Sequence, residues 1–159
     1  MTTTTQLTQY SYRGARAMVL LHEKYLREFV QVWKKAKEAN LRLPQTDDPN
    51  YKSLESLLFH VMRAARNYMT WMCEVLKMPD PAIAMPPSED RIEREVDTYL
   101  GYLLEQWRVP LAAVNEDRFY DHAYKSRWDV EYCVDAMLEH AVMHPIRHQF
   151  QLEELLEKK

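Results

Sequence analysis

Glycine is scarce in this chain, since only two of its 159 residues are glycine. β-Sandwiches, small barrels and phosphate-binding loops all need glycine, either for tight turns or for close approach of the backbone to phosphate. Neither a GxGxxG segment nor a P-loop occurs in the sequence. The shortage of glycine therefore favours an all-α fold and excludes the common nucleotide-binding loops.

Cysteines and long apolar runs are also few. Cys73 and Cys133 are the two cysteines, with no CxxC spacing, and we expect both to be reduced and packed. No run approaches the roughly 18 apolar residues that a membrane helix needs, and the polar N-terminal residues show no signal-peptide pattern. We therefore expect a cytoplasmic protein that has no membrane partner.

An excess of positive charge is absent as well. The chain has 21 Lys and Arg against 24 Asp and Glu, and its net charge is −3. A nucleic-acid-binding protein would show a basic stripe or patch, so no nucleic-acid partner is expected. The length, with 47% hydrophobic and 28% charged residues, predicts one globular domain over residues 1–159, of which 1–9 are expected to be flexible.

The chain does contain long segments of helical periodicity, separated by proline-rich connections. The first helix is expected from about Tyr12 to Ala39, the second after Ser53, the third from Ser88 to about Asn115 with a break or kink at Pro110, and the fourth from about Asp129 to Lys159. Four helices joined by proline-containing connections at 41–50 and 78–88 predict a four-helix bundle.

The first helix carries an apolar stripe that predicts its buried face. The stripe consists of Met18, Leu21, Tyr25, Phe29 and Val32, with Leu26 and Trp33 on its flank. His22 lies within this stripe, and a lone histidine on an apolar face is expected to be a hydrogen-bonded core residue.

Three histidines in the last helix, His140, His144 and His148, are spaced four residues apart. Residues at this spacing lie one above another on one face of a helix, so two neighbours can reach the same metal ion. His140 and His148 would be about 12 Å apart along the axis, too far to share an ion in a straight helix. One pair and a further ligand could therefore form a metal site; an exposed polar stripe without a ligand is the alternative.

The further ligand would come from the remaining histidines, His22, His60 and His122. His122 falls in a predicted loop and is expected to be exposed to solvent. His60 lies on the second helix, where its neighbours at helical spacing form a mixed polar and apolar face. The residues alone do not choose between His22 and His60.

The segments LLFHVMRAARNYMTW and EHAVMHPIRHQFQL together resemble the DinB-like superfamily of metal-binding four-helix bundles. The resemblance implies that His60, His144 and His148 are the metal ligands and that His140 is not. It matches Gln151 to the glutamine that closes the family's last motif, and it implies a homodimer.

Two features of the last motif depart from the family's pattern. Gln149 and Phe150 stand where the family usually has Arg-Gly, so bulkier packing is expected there. Pro145 lies between the two proposed ligands of the fourth helix and predicts a kink or a restart of that helix.

Three neutral imidazoles suit zinc, nickel, iron or copper, and we expect zinc or nickel first. Three protein ligands leave an open position, as in catalytic sites. The ExxH pair of di-iron bundles and the HExxH motif of zinc proteases are both absent from the sequence.

The resembled superfamily includes bacillithiol S-transferases, mycothiol-dependent maleylpyruvate isomerases and metal-dependent hydrolases. The resemblance therefore implies a metal that activates a low-molecular-weight thiol or water for attack on a small electrophile. A hydrolase and a non-catalytic dimeric bundle are the alternatives. Arg63, one turn after His60, could hold a substrate carboxylate or be a solvated surface residue, and Asn67 or Tyr68 could line the pocket.

Overall fold

The computed structural model describes residues 9–159, and helices account for most of this part. The four long helices are α1 (Arg13–Glu38), α2 (Leu54–Val75), α3 (Glu89–Trp107) and α4 (Val134–Glu157). The all-α prediction is confirmed for the described residues. The flexibility expected for residues 1–9 concerns mainly residues 1–8, which lie outside the described part.

Four short elements occupy the connections. Single turns of 3-10 helix at Pro49–Tyr51 and Glu116–Phe119 precede α2 and follow α3. A pair of two-residue antiparallel strands, β1 (Tyr124–Lys125) and β2 (Glu131–Tyr132), precedes α4. Most of the proline-rich segments at 41–50 and 78–88 has no regular structure, as predicted.

The helices pack around one cluster of buried apolar side chains. α1 packs mainly against α4, while α2 contacts both α3 and α4. Two buried indoles join α2 to its neighbours: Trp33 Nε1 donates to the carbonyl oxygen of Leu54 at 2.6 Å, and Trp107 Nε1 donates to that of Ala65 at 3.0 Å. The start of α2 is thereby tied to α1, and its middle to α3. The prediction of one domain over residues 1–159 stays a prediction.

The buried face of α1 differs from the predicted stripe. Leu26 and Trp33, expected on the flank, are fully buried, whereas Leu21 is exposed and Met18 only partly buried. The stripe and its flank are separated by a modest rotation about the helix axis. The packing of α1 against α4 decides which of the two faces is covered.

The starts of α2 and α3 follow the predicted residues. Ser53 caps α2, because its Oγ accepts the backbone N–H of Ser56 at 3.0 Å. Ser88 is the residue before α3, although its hydroxyl donates to Asp90 Oδ1 and does not cap the backbone.

The predicted end of the third helix and start of the fourth are wrong. α3 ends at Trp107, before Pro110, which lacks an N–H and disfavours helical geometry in the preceding residue. Asp129 lies in the turn between β1 and β2 with a φ of 67°, so α4 begins only at Val134. Ser126 closes this turn with two hydrogen bonds to Val130.

The cysteines are free thiols: Cys73 is buried in α2, and Cys133 precedes α4, where its Sγ accepts the N–H of Ala136 at 3.4 Å. Among residues 9–159, no helix is both long enough and apolar enough to cross a membrane.

Candidate metal centre

Three histidines from two helices meet at the interface of α2 and α4. His60 comes from α2, and His144 and His148 come from α4, one turn apart. One ring nitrogen of each lies within 4.8 Å of the other two, and the Nε2 atoms of His60 and His144 are 3.1 Å apart. His144 and His148 are buried and His60 is half-buried. The three rings therefore converge on one small volume.

The convergence depends on α4 remaining helical through Pro145. α4 runs from Val134 to Glu157 as one helix with Pro145 inside it, so the predicted restart at this proline does not occur. The ring centroids of His144 and His148 are 4.7 Å apart, as expected for side chains one turn apart on the same face.

Gln151 fixes the orientation of the His148 ring. Its Oε1 lies 2.9 Å from His148 Nδ1, and since an amide oxygen only accepts, Nδ1 carries the proton. His148 Nε2 is then the nitrogen with a free lone pair. Metal-binding histidines commonly have such a partner on the other ring nitrogen.

All three rings are neutral at pH 7. Burial, together with the charge of His148 and of Arg63, lowers the pKa of His60 to about 4. Burial and the charges of the neighbouring histidines and Arg147 lower the pKa of His144 to about 2, and burial also lowers that of His148. A metal ion would therefore meet lone pairs and would not have to displace ring protons from imidazolium groups.

The donor set fits a divalent transition metal. Nitrogens bound tetrahedrally to zinc at 2.0–2.1 Å are about 3.3 Å apart, so the 3.1 Å pair already has the required separation and the longest separation would have to shorten. The group contains only imidazoles, which suit zinc, nickel, copper and iron(II) better than magnesium or calcium.

His140, the first histidine of the series in α4, lies outside this group. Its ring stacks on that of Trp128 with centroids 5.3 Å apart and contacts Tyr68 and Tyr132. This position agrees with the non-ligating role that the resemblance implies.

A cavity of about 430 Å³ borders the histidines. Its walls come from α2, α4 and the turn between the two strands, and they consist of His60, Ala64, Asn67, Tyr68, Trp71, Arg127, Trp128, Met137, His140 and His144. Asn67 and Tyr68 were expected in the pocket, and both line it. Sequence reasoning missed Arg127 and Trp128 because the strand pair that carries them was predicted as an irregular connection.

Arg63, the other expected pocket residue, does not line this cavity. Its guanidinium lies over the Phe59 ring, 5.4 Å from the centroid, and donates to Asn50 Oδ1 at 3.4 Å. It is half-buried, so it is not a solvated surface residue either.

A second cavity, of about 380 Å³, lies near the histidines, although none of the three lines it. It is lined by the connection before α2 and by the end of α4, and includes Tyr51 and Gln151. The Tyr51 ring lies 5.6 Å from that of His148 and 5.8 Å from that of His60. One cavity therefore borders His60 and His144, and the other borders Tyr51 and Gln151, the two residues that contact His148.

The remaining two histidines differ from each other. His122 is exposed, as predicted. His22 is fully buried with its ring stacked on Trp107 at 3.6 Å, but neither ring nitrogen has a hydrogen-bond partner among the described residues. The expectation of a hydrogen-bonded core residue is therefore wrong, since packing against α3 places an indole face where a polar partner was expected.

No protein-family model matches the chain, and no curated protein or solved structure was found to match it.

Proposed function

We propose that the chain is a DinB-like four-helix bundle whose His60, His144 and His148 hold one divalent transition metal ion, with zinc or nickel ahead of iron or copper. The convergence of three neutral imidazoles from two helices is the observation that carries the proposal. An uncharged polar cluster in an interior is expensive to desolvate unless its nitrogens are bonded, and a metal ion would satisfy all three at once.

A metal ion held by three protein ligands leaves a position where a thiol or a water can bind and lose its proton near neutral pH. We propose that this chemistry serves attack on a small electrophile, in the manner of an S-transferase. Gln151 holds the His148 ring in the ligating tautomer. Tyr51 and Tyr68, whose rings contact the histidines, shield the site from bulk water.

The two cavities favour transfer between two organic molecules over hydrolysis. A low-molecular-weight thiol and an electrophile each need a binding place, whereas a hydrolase needs only one organic substrate. One cavity, of about 430 Å³, borders His60 and His144, and the other, of about 380 Å³, is lined by Tyr51 and Gln151, which contact His148. Both volumes lie within the range of small-molecule sites.

A non-catalytic dimeric bundle is the other alternative. Met143 and Phe150 lie seven residues apart on α4 and are 48% and 59% exposed, which supports a homodimer under either hypothesis. The free thiols of Cys73 and Cys133 support a reducing, cytoplasmic location. Sedimentation analysis of the wild type and of Phe150→Glu tests the dimer, which the charge should dissociate.

Metal analysis tests the ligand set first. The purified protein, loaded with zinc or nickel and freed of excess metal, should hold about one ion per chain, and His60→Ala and His148→Ala should lose it. His122→Ala is the matched control, because it removes an exposed histidine that is not part of the group. Stoichiometric metal that survives both substitutions would contradict the site.

Activity assays then separate the reaction classes. Metal-loaded protein is given a panel of low-molecular-weight thiols with chlorodinitrobenzene, in which the thiolate displaces chloride. Turnover that requires a thiol and disappears in His148→Ala supports the transferase. Turnover of an ester or amide without any thiol would indicate a hydrolase, and inactivity throughout would favour the non-catalytic bundle.

A further inference from the structure

The larger cavity is walled by aromatic rings from three different elements. Trp128 comes from the turn between the strands, Tyr68 from α2 and His140 from α4. The Trp128 ring stacks on His140 with an interplanar angle of 28°, and Tyr68 stands at 88° to Trp128 with centroids 6.5 Å apart. Trp128 is 45% exposed, so part of its surface remains open to a ligand. Such walls suit a planar apolar group.

Arg127 is the one charged residue among those that line the cavity, and no Asp or Glu is among them. Within residues 9–159, Arg127 makes no ion pair, although its guanidinium offers five donors in the planar arrangement that matches a carboxylate. An unpaired guanidinium at the edge of an aromatic cavity is therefore available to an anionic ligand.

A second cation acts on the same cavity. Arg147 lies on α4, one turn after His144, is exposed, and has no ion-pair partner in the described part of the chain. Arg147 does not line the cavity, so its charge acts on a ligand there only from a distance.

These features select one ligand class. We propose that the cavity binds a small aromatic carboxylate, with its ring against Trp128 and Tyr68 and its carboxylate paired with Arg127, while Arg147 adds a longer-range attraction. Resting on the proposed function, the electrophilic substrate is such an aromatic acid with a displaceable ring halide, so that the thiolate forms a C–S bond as the halide ion leaves; His60 and His144 line the same cavity. An aromatic cage can also bind a quaternary ammonium group, but here a cation would meet the guanidinium group of Arg127 and no lining carboxylate.

Three probes of one shape and different charge test the ligand class. The metal-free and the zinc-loaded protein are titrated by calorimetry with 1-naphthoate, 1-naphthylmethanol and 1-naphthylmethylammonium. In the metal-free protein we expect naphthoate to bind about tenfold more tightly than the alcohol, because a charge-assisted contact to Arg127 adds to the same ring contacts. The ammonium should bind most weakly.

The variants assign the contacts. Arg127→Gln should weaken naphthoate about tenfold and leave the alcohol within about twofold, whereas Arg147→Gln should weaken naphthoate about threefold. Trp128→Ala should weaken naphthoate and alcohol alike, since both lose the same stacking surface. Arg27→Gln is the control, because it removes an equal charge from the exposed face of α1.

The outcomes that overturn this inference differ from those that overturn the metal site. Equal affinity for the three probes, preference for the ammonium, or an Arg127→Gln variant that retains the preference for naphthoate would each contradict the ligand class. A protein that holds zinc but shows no preference for naphthoate contradicts only the ligand inference. A protein that binds naphthoate but holds no metal contradicts only the metal proposal.

Discussion

Buried histidines lie in two different helix interfaces of this protein. His22, on α1, is fully buried and lies flat against Trp107 of α3, and both its ring nitrogens lack a partner among the described residues. The rings of His60, His144 and His148 are also mostly buried, but they face one another between α2 and α4, and His60 and His144 border a cavity. The same residue type is therefore isolated in one interface and convergent in the other.

The comparison shows that burial and a lowered pKa do not by themselves mark a functional histidine. Burial lowers the pKa of His22 to about 3, as it lowers that of His60 to about 4. Only the second group combines neutral rings with convergent lone pairs, a side-chain partner that orients one ring, and adjoining space for a ligand. Convergence and access, more than burial, therefore distinguish the candidate site.

The largest expected difference between the two histidine regions is in how zinc stabilises the folded protein. At a zinc concentration a thousand times its dissociation constant, the folded protein should gain about 4 kcal/mol, because the preformed site is absent from the unfolded chain. For a domain of this size that gain corresponds to a rise in Tm of about 8–16 °C. His148→Ala should abolish the shift measured by calorimetry, and His22→Phe should retain it in full. A shift lost in His22→Phe would remove the distinction between the two regions.

Replacing His22 should have the next largest effect, and this effect should grow as the pH falls. His22→Phe keeps a ring against Trp107 and removes two unpaired nitrogens, so the free energy of unfolding should rise by about 1–3 kcal/mol at pH 7. The pKa of His22, about 3, lies below its ordinary value, so the unfolded chain takes up the proton first as the pH falls. The wild type therefore loses stability below about pH 6.5, and on the order of 2 kcal/mol of this loss between pH 7 and 5 comes from His22.

Urea unfolding of the metal-free wild type and of His22→Phe at pH 7, 6 and 5 checks this linkage. The difference in free energy of unfolding between the two proteins should widen as the pH falls. His122→Phe is the control. Because His122 is exposed, the difference in free energy of unfolding between the wild type and His122→Phe should not change with pH. Parallel curves for wild type and His22→Phe would show that the buried ring does not titrate as proposed.

The sequence was most informative where local spacing determines structure. The four-residue spacing of His144 and His148 placed both rings on one helix face, and Ser53 and the proline-rich connections marked several boundaries. The third ligand could not be identified from spacing. The choice between His22 and His60 depended on family resemblance, because the spacing of residues within one helix does not show which other helix lies opposite.

The failures concern features that tertiary packing decides. The rotation of α1 that buries Leu26 and exposes Leu21 is set by its contact with α4. The strand pair that carries Arg127 and Trp128 has two residues in each strand, too few for a period-2 pattern to be visible. The cavity wall contributed by this turn was therefore not predictable, although the histidines beside it were.

Gln151→Leu should have a smaller effect on the metal site than loss of a ligand. The substitution removes the oxygen that accepts the His148 Nδ1 proton and so leaves the ring free to adopt the other tautomer. Loss of such a partner typically weakens metal binding by about 10–100-fold. Competition with a chelator of known affinity measures the change. Gln149→Leu is the matched control, because the Gln149 amide donates to Glu153 and not to a histidine. An equal loss in both variants would contradict a specific role for Gln151.

Arg63→Gln should have the smallest effect, and it decides between the expectation from sequence and the placement in the structure. The sequence suggested that Arg63 holds a substrate carboxylate, whereas its guanidinium packs over Phe59 and bonds to Asn50, outside the cavity. Its removal should change naphthoate affinity by less than about twofold and lower the free energy of unfolding by at most about 1 kcal/mol, since a hydrogen bond and a cation–π contact are lost. Titration of Arg63→Gln beside Arg127→Gln makes the comparison direct. A larger loss of naphthoate affinity in Arg63→Gln would indicate that Arg63 binds the carboxylate, as the sequence suggested.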